Sequence, residues 1–258
     1  MNKALKALSV ISVGVLLAAC GSTDRLKQPT AAERTEQRAL IKTQLAAEYM
    51  RAGDYRQAVA TIEEALRTDS RNVYGWLMRA QIYHYLKVPD KAEESFRRAL
   101  SIEPANAEVN NNYGWFLCDL QKRYNDAMPY FDRALADPTY PSPFVANLNK
   151  GVCSARMGQY NLAESYFNRA LSLNPNFFVV QKEMARAKLQ QGQSRDADYL
   201  FRQYQSKVDV LSADDLLLGW RIARSMGQSQ AAYEYEAQIR ANYPYSSEME
   251  QITTGKIQ

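Results

Sequence analysis

The sequence predicts an all-α fold, a solenoid of six stacked helix-turn-helix repeats, and three observations carry that expectation. Alanines recur at a nearly fixed step: Ala58, Ala92, Ala127, Ala163, Ala197 and Ala232 are 34, 35, 36, 34 and 35 residues apart. A second alanine keeps the same step at Ala65, Ala99, Ala134 and Ala170, then gives way to Tyr204 and Ile239. Between the two rows stands a large apolar residue, Ile62, Phe96, Phe131, Phe167 or Phe201, and only Glu236 breaks that row. With Leu66, Leu100, Leu135 and Leu171 added, the first four repeats read apolar at i, i+4, i+7 and i+8, one stripe of a helix. Alanine lets a neighbouring helix approach, and the ring fills the space between. A unit that cannot bury its stripe alone must stack on copies of itself.

The chain opens with Lys3 and Lys6, continues with an apolar run from Ala7 to Leu17, and reaches Cys20-Gly21 through Ala18 and Ala19. That is the layout of a secretory leader, too short to remain as a bilayer span. Leu16-Leu17-Ala18-Ala19-Cys20 resembles the lipobox of bacterial lipoproteins. The resemblance implies acylation of Cys20, cleavage before it, attachment to the membrane by the lipid and, with Gly21 in place of Asp, outer-membrane delivery on the periplasmic face. Two or more acyl chains make release from a bilayer very slow. The expected division is therefore a leader at 1–19, a lipidated N-terminus and linker at 20–30, repeats at 31–246 and a polar, frayed tail at 247–258.

Each repeat has its own signals. Thr30-Ala31-Ala32-Glu33 has the spacing of a capping box that opens the first helix. Gly53, Gly158, Gly192 and Gly227 mark tight turns between the helices of a pair, because glycine adopts positive φ at little cost. Pro104, Pro138, Pro175 and Pro244 follow second helices and stop them. Ala46, Ala80, Gly114, Gly151 and Ala185 are the small residues where helices cross, and Asp137 to Pro143 lengthens one link into a stiff, proline-rich connector. The unit resembles the tetratricopeptide repeat from Ala39 to about Ser246, which implies a right-handed superhelix with a concave inner surface.

Catalysis has little to draw on. His84 is the one histidine, no GxSxG elbow accompanies it, and no phosphate-binding glycine motif occurs. Cys20, Cys118 and Cys153 lack zinc spacing. The expectation is a chain with no catalytic residues, no cofactor, no metal and no small-molecule substrate. Of the 32 Lys and Arg, Lys3 and Lys6 leave with the leader, so 30 face 28 acidic residues with signs interspersed, and nucleic acid is not an expected partner. Two readings fit Cys118 and Cys153: a disulfide joining repeats three and four in an oxidising compartment, or two small buried hydrophobes.

Repeat phase places Met50, Tyr74, Leu77, Tyr85 and Trp115 on the concave surface of the front repeats, beside Gln81 and Asn111, with Leu148, Val152, Arg156, Lys182 and Arg186 behind them. Apolar and aromatic residues in front and cations behind suit a groove for a peptide, although packing between helices would explain single members equally well. The segment from Asn110 to Cys118, Tyr140-Pro141, Gly151-Val152-Cys153, Leu216 to Ala223 and Tyr243-Pro244 resemble the type IV pilus biogenesis and stability lipoproteins. That family implies a pilotin, a carrier that binds the pilus secretin subunit and promotes its outer-membrane localisation and multimerisation. Tetratricopeptide lipoproteins that regulate peptidoglycan enzymes or outer-membrane protein assembly share the same general parts.

Overall fold

The computed structural model describes residues 29–255, and within them the chain is helical throughout. The expected leader, Cys20 and the expected linker as far as Gln28 lie outside the described residues. Six antiparallel pairs follow one another: α1 (Ala31–Arg51) with α2 (Tyr55–Thr68), α3 (Val73–Tyr85) with α4 (Pro89–Ile102), α5 (Ala107–Asp119) with α6 (Tyr124–Ala136), α7 (Pro143–Arg156) with α8 (Tyr160–Leu173), α9 (Val179–Gln190) with α10 (Ser194–Gln205), and α11 (Ala213–Ser225) with α12 (Ser229–Asn242). A thirteenth helix, α13 (Ser247–Thr254), follows. The fold is an all-helical tetratricopeptide solenoid.

Local chemistry sets the boundaries. Thr30 and Glu33 form the capping box on α1, and Asn72 and Asn106 accept the backbone N–H of Gly75 and Val109 at 2.9 and 3.0 Å to start α3 and α5. Each proline noted above stands two residues beyond a second helix, which ends at Ile102, Ala136, Leu173 or Asn242. Gly53, Gly158, Gly192 and Gly227 turn the chain with φ of 77, 76, 76 and 72°. At the two remaining turns the same left-handed position is held by Lys87 and Lys122, each with φ 57°.

Ile62, Phe96, Phe131, Phe167 and Phe201 are fully or almost fully buried, as are both alanine rows. The small residues opposite them are required by distance. A Cβ on Gly114 would stand 2.8 Å from the Phe131 ring, and one on Gly151 would stand 2.5 Å from Phe167. In repeat six the ring is supplied by Tyr235, one position before Glu236, and a Cβ on Gly219 would meet it at 2.6 Å. Glu236 turns outward and pairs with Arg240 at 2.8 Å. The long connector folds back rather than projecting. Tyr140 is only 8% exposed, among Ala107, Ala134 and Ala146, and this burial, followed by the charge of Glu108, pushes its hydroxyl up to about 12.

Residues 247–254 of the expected frayed tail are helical, and those beyond Gly255 lie outside the described residues. Ser246 accepts from Met249 N–H at 3.1 Å and opens α13, whose Met249 is buried against α11 and α12. The first helices from the second pair onward begin at residues 73, 107, 143, 179 and 213, and α13 begins at 247, again 34 residues on. It is therefore the first helix of a seventh repeat, ended after two turns by Gly255 at φ 66°. The polar sequence conceals this order, because the apolar packing comes from Met249 and Ile252, and Gln251 adds a hydrogen bond that it accepts from Arg221 of α11 at 2.8 Å.

Candidate functional site

The first helices line the concave surface, and the front of that surface holds a cavity of about 730 Å³. Met50 comes from the end of α1, Gln81, His84 and Tyr85 from α3, and Trp115 and Asp119 from α5, with Lys87 and Leu120 at the adjoining turns. Ser247 and Glu248, in the first turn of α13, form the far wall. The groove is thus bounded by both ends of the solenoid.

Its polar floor is braced. Gln81 Nε2 donates to Asn112 Oδ1 at 3.0 Å, linking α3 to α5. Asp119 stands 3.2 Å from His84 Nε2 on one side and accepts from Arg156 at 3.0 Å on the other. Burial pushes the Asp119 carboxyl up, but the His84 hydrogen bond and the Arg156 charge outweigh it and hold the group at about 2. Arg156 also lies over the Trp115 ring at 5.3 Å and donates to the Cys118 carbonyl at 3.3 Å. Tyr85 stacks on Tyr55 with ring centroids 4.8 Å apart. Trp115 and Tyr85 are therefore fixed before any partner arrives, which lowers the ordering cost of binding. Ser247 shares the cavity with His84 and Asp119 but makes no hydrogen bond to His84 among the described residues.

Of the five residues assigned to the groove, the structure brings Met50, Tyr85 and Trp115 together around the cavity. Tyr74 is 52% exposed and lies apart from it. Leu77 must be reassigned: it is 3% exposed and packs with Val73, Ala80 and Phe96, because the stripe 73, 77, 80 of α3 turns toward the core. Leu148 and Val152 are buried in the same way. Cys118 and Cys153 are joined by a disulfide between α5 and α7, with Cα atoms 6.0 Å apart. Sequence reasoning missed His84, Lys87, Asp119 and Leu120 as cavity residues, along with the α13 wall. Their shared phase at the ends of α3 and α5 was available, but the contribution of α13 depends on the curvature of the whole array. Among the described residues no helix is long and apolar enough to cross a membrane, and no group of three or more metal-ligating side chains occurs.

Pairs of helices at this period, with alanine and phenylalanine interlocked and a concave groove left over, define a repeat scaffold. The tetratricopeptide-repeat profile matches residues 31–208, and the chain belongs to that family. Within it, the chain is 31% identical over 213 residues to the type IV pilus assembly protein PilF of Pseudomonas aeruginosa, covering 83% of this chain and 84% of that one. The crystal structure of PilW, described as a widely conserved type IV pilus biogenesis factor, matches at 61% identity and a TM-score of 0.71 over 83% of this chain and 98% of PilW. The structure of P. aeruginosa PilF matches at 29% identity and a TM-score of 0.64 over 86% and 99%. The chain is a relative of these two pilus biogenesis factors.

Proposed function

We propose that this protein is an outer-membrane lipoprotein of type IV pilus biogenesis, anchored on the periplasmic face through Cys20, that binds the pilus secretin subunit and promotes its localisation and multimerisation. The likeness to PilF and PilW over most of each chain carries the reading. The lipobox-like segment ending at Cys20 supports the anchor, and the braced groove of Met50, Tyr85 and Trp115 supports recognition of a polypeptide. No catalytic step is needed. Carriers confined to one membrane raise the effective concentration of the subunits they hold, and that alone favours ring assembly.

The test is the heat-resistant secretin multimer in fractionated membranes. Cys20→Ala is expected to abolish the multimer at the outer membrane while the carrier still binds the subunit in extracts. Multimers that persist there in the Cys20→Ala strain count against escort. Altered cell shape with pili and secretin intact points instead to a partner among the peptidoglycan enzymes.

A further inference from the structure

Two turns of this solenoid break the rule that the other four obey. Gly53, Gly158, Gly192 and Gly227 take the left-handed conformation where glycine is the unstrained residue, and the space around each is open. Lys87 and Lys122 take the same conformation at φ 57°, against the preference of any residue with a Cβ. A second property sets the same two apart. Of the described lysines, Lys42, Lys150, Lys182 and Lys188 are in ion pairs, and Lys91 and Lys207 lie over the rings of Tyr83 and Phe178. Among the described lysines only Lys87 and Lys122 have neither kind of partner; arginines without one, such as Arg34, Arg67 and Arg195, lie away from the cavity. The two lysines are also confined to the pairs whose first helices, α3 and α5, line the cavity, and Lys87 is part of its wall. Strain kept at an exposed turn where glycine would serve points to a role outside the fold.

We infer that Lys87 and Lys122 form a cationic edge of the groove that receives acidic side chains of a bound polypeptide, whose apolar anchor sits between Met50, Tyr85 and Trp115. The inference rests on the groove being the partner site. Charge complementarity selects the occupant at this edge: Arg156 is already committed to Asp119, and Glu248 stands on the far wall, so the two lysines are the cations left for a ligand.

The probe is the purified periplasmic region of the pilus secretin, titrated at low and high salt against the mature protein and its variants. Lys87→Gly and Lys122→Gly are expected to raise Tm by about 2 °C each, yet to weaken binding about tenfold together at low salt. That deficit is expected to vanish near 0.5 M salt, where exposed charges are screened. Lys87→Asn, which tolerates the turn and lacks the charge, should weaken binding as glycine does, and Lys87→Arg should preserve it. A purely structural role would move Tm and leave the salt dependence alone. Unchanged binding in the glycine and asparagine variants overturns the cationic edge while leaving the groove reading intact. Absence of binding by the unaltered protein overturns both. Loss of sedimentation with phosphatidylglycerol vesicles in Lys87→Asn, with secretin binding unchanged, overturns it in favour of a membrane-facing edge.

Discussion

The front and rear halves of the concave surface are both built from first helices in the same phase, α1, α3 and α5 in one and α9 and α11 in the other, yet their lysines are used differently. Behind the disulfide, Lys182 lies 3.0 Å from Asp215 and 3.3 Å from Asp214, and Arg186 lies 2.8 Å from Asp214, so the cations of α9 are joined to carboxylates of α11. Lys188 reaches Glu164 on α8 at 3.0 Å in the same way. These groups tie repeats together. In front, Tyr85, Met50 and Trp115 surround open space, and Lys87 has no partner among the described residues. A cation on a concave surface is thus evidence of docking only when its counter-charge is missing, which sequence phase cannot show.

The sharpest way to break the comparison is at its seam. Cys118 and Cys153 close a loop of 35 residues between repeats three and four, and replacing both with alanine is expected to lower stability by about 3 kcal/mol. Urea unfolding should then show the two halves separating into distinct transitions, since each repeat contacts mainly its neighbours. A single unshifted transition would mean that helix packing alone couples them. Next comes the division within the front half. Leu77→Ala should cost about 3 kcal/mol with its cavity, whereas Tyr85→Ala, at a site 58% exposed, should cost less than about 1 kcal/mol and weaken secretin binding. Equal costs would erase the distinction between core and groove.

In the rear, Asp214→Asn removes one acceptor shared by Lys182 and Arg186. Stability should fall by about 1 kcal/mol, with secretin affinity unchanged in the same titration. The last expected effect is confined to acid and lies at Asp119. Its carboxyl is held at about 2 against an ordinary value of 3.8, so the folded state binds that proton less readily than the unfolded chain. The stability it gives is complete above about pH 4 and is lost as pH falls through 2. Asp119→Asn should therefore flatten that part of the acid limb, measured as urea midpoints at pH 5 and pH 2.5.

Much of the fold was legible because the interior of a repeat is dictated by volume. An alanine, a ring and another alanine at fixed spacing admit one mode of stacking, and Gly114 and Gly151 stand where Phe131 and Phe167 leave no room for a Cβ. Repeat six hid its equivalent, since Tyr235 enters one residue early and leaves Glu236 in the expected place. The groove was legible only in part. Phase assigns residues to a face of a helix, but Leu77 and Tyr85 share a face at the scale of a turn and differ by a rotation that packing decides. Lys87 and Lys122 carried no signal beyond the missing glycine at their turns. Ser247 and Glu248 come from the far end of the array, so no local pattern announces them.

A stack of like units has no intrinsic length. The surface that receives unit six on unit five is repeated at the last unit, where it would serve a neighbouring molecule as readily as its own chain. The two turns begun by Ser246 and stopped by Gly255 occupy that berth from within. Leu216, Leu217 and Trp220 of the sixth unit are thereby covered by Met249 and Ile252 of the same molecule.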